Sequence, residues 1–280
     1  MASDLQAARN AKRSMTSLAN DTGSKVAALY SSLVGSQPSP ETIAAFVKAA
    51  LPVVRKGHSS AQALAKVNHR QVRRAAGVKG TVKVPAGEAF NAEQAESSLR
   101  YIGAVAPAKR EEVVFDRPFF NSQPTVTKQE VGAAAARRVV QSGMSMARAA
   151  AEADKAAIGW ARVTQGEGAC YFCSMLESRG MVYSVDSFEV SDFRFEDNSL
   201  PPTVLSGELT AKTHDHCRCI LVPVYSRTSE VQKSADALYE TWKDVQRQFA
   251  WLRSATGSSM IQIWRWYWEG NIDEVARKWA

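Results

Sequence analysis

A chain of 280 residues with 45% hydrophobic and 22% charged side chains can bury a real core, in one large domain or two smaller ones. No apolar run reaches the roughly 18–20 residues of a membrane span, and the N-terminal MASDLQAARNAKRSM lacks the apolar centre of a secretory signal, so a cytosolic protein without a membrane partner is expected. The net charge of +7 is uneven: residues 1–87 carry thirteen basic against three acidic side chains, a local +10 that leaves −3 for the remainder. Such a basic region favours a polyanionic partner, nucleic acid first and an acidic protein surface second, against the bland reading of a solvated helix face.

Taken in chain order, Leu5, Ala8, Met15 and Leu18, then Val26, Leu29, Leu33 and Val34, recur at helical steps and predict one buried face. GSQPSP at 35–40 breaks the run. Ser39 and Pro40 stand as N-cap and first-turn residues of a second helix with the stripe Ile43, Phe46, Val47, Ala50 and Leu51. A third helix is expected after Gly57, capped by Ser59 or Ser60, with the basic outer face HRQVRR. On it Arg70, Arg73 and Arg74, followed by Lys79, are the candidate DNA-binding side chains. GVKGTVKVPAGEAF reads as a turn with a short strand. A further helix is expected from 90 to about Pro107, a loop at DRPFFNSQPTVTK, and a long Ala-rich helix over Val126 to Val163.

At 164 the character changes. Glycines, a tight turn at CYFC and β-branched residues predict short strands around a metal knuckle. An acidic loop spans 184–213, and a strand is expected at Ile220–Tyr225. The tail, 229–280, reads as helical and tryptophan-rich. WRWYW at 264–268 spreads rings around a helix, so at least one is expected to be exposed, and Trp264, Trp266 and Trp268 are candidate partner-binding residues; docking on the chain's own core is the competing reading. The whole predicts an α+β, predominantly α-helical chain. Helical N-terminal and C-terminal regions surround a small β element pinned by a Cys/His metal knuckle. Four regions follow: 1–87 basic helical, 88–163 helical with the Ala-rich helix, 164–228 the knuckle, and 229–280 the Trp-rich tail.

All four cysteines lie in one window, as CYFC at 170–173 and CRC at 217–219, with His214 and His216 beside the second pair. In a reducing compartment two close pairs across a long loop point to a tetrahedral metal, normally zinc, ahead of a disulfide or buried unligated thiols. CRC is awkward because alternate side chains on a strand point to opposite faces. His214 therefore competes as a ligand, leaving either four cysteines or Cys170 and Cys173 with His214 and one of Cys217 or Cys219. A closed set leaves no position for a reactive water, so the zinc would be structural.

Catalysis finds little support. Only His58 and His69 remain for a triad, no GxSxG elbow, Walker loop or dinucleotide fingerprint is present, and acids such as Glu177 and Asp186 read as solvated loop residues. The enzyme question stays open, leaning to no, and no small-molecule substrate is expected.

CYFCSMLESRGMVY, an acidic loop, then HDHCRCILVPVY resembles the signature of the Mu F-like minor capsid (phage head morphogenesis) proteins of tailed bacteriophages, especially those of actinobacteria. The resemblance covers residues 126–226. It implies a minor capsid protein inside the head at the portal vertex, assembled in the host cytoplasm, with the portal protein, the capsid interior and packaged DNA as partners. The family's Cys/His pattern falls on Cys170, Cys173, His214, Cys217 and Cys219, with His216 a second choice. Some relatives carry a capsid maturation protease; that is the alternative function, and a zinc-ribbon nucleic-acid-binding protein a further one.

Overall fold

The computed structural model describes residues 3–35, 38–105, 124–164, 169, 171–183 and 219–279. Its elements are α1 (Asp4–Leu33), α2 (Pro40–Ala75), α3 (Ala92–Arg100) followed by a π-helical turn (Tyr101–Val105), α4 (Pro124–Ala153), β1 (Gly159–Thr164), α5 (Tyr171–Glu177), β2 (Cys219–Val224), α6 (Glu230–Phe249), α7 (Trp251–Thr256), α8 (Met260–Trp268) and α9 (Ile272–Trp279). Among the described residues the chain is mostly helical, with one small antiparallel sheet. It divides into two compact units. The first joins Met1–Arg13, Val67–Pro85 and Ala147–Ala280, the second Ser14–Lys66 and Ala86–Met146. Both are discontinuous in sequence, whereas the expected regions were consecutive stretches.

Among the described residues every element of the second unit is helical. Val26, Tyr30, Ile43, Phe46, Val47, Ala50, Val54, Leu99, Val131 and Ala135 form its core, so the stripe predicted for the start of α2 faces inward. Ser39 caps that helix as expected: its Oγ accepts from the Thr42 N–H at 3.2 Å, while Thr42 Oγ1 accepts from the Ser39 N–H at 2.9 Å, which satisfies donors the first turn would leave orphaned. The predicted break at Gly57 is absent. One helix runs through Pro52 and Gly57 to Ala75, because Gly57 marks a crossing: a Cβ there would stand 2.8 Å from Val139 Cγ2 and 2.9 Å from Thr22 Oγ1. Close packing, rather than chain reversal, demands the missing side chain.

In the first unit β1 and β2 pair antiparallel, Gly159 opposite Val224 through Thr164 opposite Cys219. The predicted β2 strand is present. The predicted helix to Val163 instead stops at Ala153 and gives way to β1. GWARVT is rich in strand formers, and its pairing with a segment far downstream overrides the local helical pattern. Ala161, Val163, Val222 and Val224 pack with Ala7 and Ala8 of α1, Val72 of α2 and Val231 of α6. A neighbouring core joins Phe172, Met175 and Leu176 of α5 to Val245, Leu252, Ile263, Trp264 and Ile272 of the tail. The tail is helical, as expected.

Two further expectations are corrected. The alternating valines after α2 pair with nothing among the described residues and form no strand, since alternation needs a partner edge. The segment after Cys170 is the helix α5 instead of a short strand; Phe172, Met175 and Leu176 recur at three and four residues and give it one apolar face.

Candidate functional site

The basic end of α2 builds a buried polar hub within the first unit. Helical spacing puts His69 and Arg73 on one face, and both reach Asp154, which sits just past the end of α4. His69 Nε2 lies 3.0 Å from Asp154 Oδ2. Arg73 Nη1 donates to Asp154 Oδ1, the Tyr225 hydroxyl donates to Oδ2 at 2.7 Å, and the Ala156 N–H donates to Oδ1 at 3.1 Å. The Arg73 guanidinium also lies over the Tyr225 ring. Its remaining donors hold the loop after the helix, Nη2 to the Lys79 carbonyl at 2.9 Å and Nε to the Gly80 carbonyl at 3.4 Å.

Asp154 is 2% exposed at its side chain and Arg73 11%. Burial by itself would raise the Asp154 pKa, but hydrogen bonds from Arg73, Tyr225 and the Ala156 N–H, with the Arg73 charge, together hold it below the usual carboxylate range. Burial lowers the His69 pKa against the opposing pull of Asp154; the neutral ring then donates from Nε2. Burial, then the bond to Asp154, pushes the Tyr225 hydroxyl far up. Every acceptor position of the carboxylate has a donor. The hub is a clasp between the helix end and the sheet, and its aspartate is already saturated by structural partners.

The sequence-predicted DNA residues thus separate. Arg73 is drawn inward, while Arg70, Arg74 and Lys79 are exposed. Asp154 and Tyr225 were not singled out from sequence, and His69 was weighed only as a spare triad member. No local signal could have found the set, because His69 and Asp154 are 85 residues apart.

Of the predicted metal ligands, Cys170, His214 and Cys217 lie outside the described residues, as do His216 and Asp186. Cys173 is buried in the first turn of α5. Cys219 opens β2 opposite Thr164, whose N–H donates to Glu177 Oε2 at 3.0 Å. The strand end carrying Cys219 is thus tied through Thr164 to Glu177 of the helix that carries Cys173. Among the described residues no group of three or more metal-ligating side chains occurs. Glu177 is corrected: it is 2% exposed on α5, held by the Thr164 N–H and within 3.5 Å of Ser234 Oγ, rather than a solvated loop acid.

In the tail, Trp264 is fully buried; its indole N–H donates to the Tyr171 carbonyl at 2.9 Å and to Ser174 Oγ at 3.2 Å. It belongs to the core and has no surface to offer a partner. Trp266 and Trp268 are half-buried, and Trp268 donates to the Ala169 carbonyl at 2.7 Å. Within WRWYW the exposed ring is Tyr267, at 39%, and Tyr239, Trp251 and Trp279 are exposed elsewhere in the tail.

No helix among the described residues is long and apolar enough to cross a membrane. Compared with known proteins, the chain falls among phage-type viral proteins. It belongs to the VG15 protein family, whose model matches residues 2–245, nearly the whole chain. The match ends within α6 and leaves α7 to α9 outside it. No curated protein and no solved structure matches.

Proposed function

We propose that this chain is a minor capsid protein of a tailed phage, of Mu F-like type, acting in head assembly at the portal vertex inside the capsid. The observation that carries the reading is membership of a phage-type family over residues 2–245, joined to the CYFC and HDHCRC signature. A structural role is also supported by the buried polar groups. The carboxylates of Asp154 and Glu177 are engaged by backbone and side-chain donors that hold elements together, and a general acid or base needs a proton position open to substrate.

Zinc is proposed as a structural ion held by Cys170 and Cys173 with two of His214, Cys217 and Cys219. The bond that ties Thr164, opposite Cys219, to Glu177 on the helix carrying Cys173 is compatible with such a set, and thiolate with imidazole is zinc's donor chemistry. When bound, the ion would cross-link α5 to the start of β2. Elemental analysis of purified protein should find one zinc per chain, removed by a chelator with loss of structure. A folded, zinc-free protein with four titratable thiols would reject this site.

The head role is tested by deleting the gene from the phage that encodes it. Capsid and tail proteins should accumulate without infectious heads, and purified heads of the parent phage should contain the chain in few copies. Normal heads from the deletion would overturn the proposal. Incubation with the phage's capsid and scaffold proteins should leave both uncut; specific cleavage would establish the protease alternative.

A further inference from the structure

From Thr42 to Gly87 the chain contains no aspartate or glutamate. Outside that stretch several cations on its helices pair locally with acids: Lys25 with Asp21, Arg100 with Glu96, Arg148 with Glu152, Lys233 with Glu230, Lys243 with Glu240, Arg247 with Asp244 and Arg265 with Glu269, all at three- or four-residue spacing. Arg70 and Arg74 on the last turns of α2, with Lys79 and Lys83 in the loop beyond, are exposed. None of their charged ends has a partner among the described residues.

Their placement is built. Arg70 and Arg74 lie one turn apart on one helix face, about 6 Å along the axis. Gly77 and Gly80 take positive φ, 74° and 81°, turning the chain after the helix. Arg73 then binds the carbonyls of Lys79 and Gly80 while anchored on Asp154. One arginine is spent holding the loop so that Lys79 stands beside the helix end.

We infer that Arg70, Arg74 and Lys79 form a contact surface for the phosphate backbone of double-stranded DNA, and that Arg73 is its positioning residue. A phosphate backbone presents one sign of charge without interruption, and three exposed cations on a stretch without a single carboxylate match it. The inference rests on the head-protein reading for the choice of DNA.

The test uses the full chain and a fluorescent 20-base-pair duplex of arbitrary sequence, with affinity measured from 50 to 200 mM salt. Each phosphate contact contributes about 0.9 to the slope of log affinity against log salt. The triple variant Arg70→Ala, Arg74→Ala, Lys79→Ala should therefore flatten the slope by about 2.7, which is roughly 40-fold less affinity lost across that range. Its melting temperature should stay unchanged. Arg73→Gln should lower the melting temperature and flatten the slope by about 1, through loss of the Lys79 position. Equal slopes for wild type and triple variant would overturn the inference, as would polyglutamate displacing the duplex at equal charge, which would assign the surface to an acidic protein. Heads assembled without the chain would instead refute the head role and leave these slopes untouched.

Discussion

Replacing Asp154 with asparagine removes the charge on which His69, Arg73, Tyr225 and the Ala156 N–H converge. The amide keeps the shape but has one acceptor oxygen where the carboxylate had two, and its NH2 group faces side chains that are themselves donors. Breaking one partner of a buried ion pair costs about 3–5 kcal/mol. The lower end applies because Arg73 keeps the Lys79 and Gly80 carbonyls. A loss of about 3 kcal/mol corresponds to a fall in Tm of about 6–12 °C for a domain of this size, readable by calorimetry or circular dichroism at pH 7.5. Asp21→Asn is the internal control, since its pair with Lys25 is exposed on both sides and should contribute under about 1 kcal/mol. If Asp154→Asn melts within the shift of Asp21→Asn, the hub is not a clasp and the reasoning fails.

The same hub sets a pH dependence. Asp154 and His69 both lie below their ordinary values in the folded chain, so the unfolded chain takes up protons first as pH falls. Stability should be complete above about pH 6.5, decline below it as unfolded His69 protonates, and decline again below about pH 4 through Asp154. His69→Gln should abolish the first decline in melts taken from pH 8 to 4. Gly23→Ala should destabilise by about 1–2 kcal/mol by denaturant titration, although alanine favours a helix by about 1 kcal/mol. Its Cβ would stand 2.7 Å from the Gly132 carbonyl oxygen, and backbone cannot step aside. Gly143→Ala meets only the flexible end of Met15 at 2.5 Å and should be near neutral. Trp264→Ala should cost about 3–5 kcal/mol, with a smaller loss for half-buried Trp266→Ala.

Local chemistry made part of this fold legible. Ser39 announced the start of α2, Val222 and Val224 announced β2, and the tryptophans marked the tail. Gly57 misled because one residue type serves two purposes, turning a chain and letting helices touch; which of them applies depends on Thr22 and Val139, distant in sequence. β1 was hidden for a related reason, since its strand identity is conferred by Cys219–Val224. The helix of α5, inside the cysteine window, was not legible, because its apolar face answers to tail residues such as Trp264. Arg73 shows the limit for the basic region: it is chemically identical to Arg70 and Arg74, and only Asp154, far along the chain, separates an anchor from two exposed side chains.

The pairing of Thr164 with Cys219 also dictates an order of events at the ribosome. For a flexible chain of this separation, closure costs about 3.5 kcal/mol in entropy, and at about 5–20 residues per second several seconds pass between synthesis of β1 and of its partner. Throughout that interval Ala161 and Val163 belong to a strand with no mate, an edge open to other chains. Tyr225 follows β2 directly, so the last donor of the Asp154 clasp arrives with the strand that closes the sheet. Sheet and clasp then complete as one late step, and nascent chains halted before Tyr225 should be the ones that aggregate.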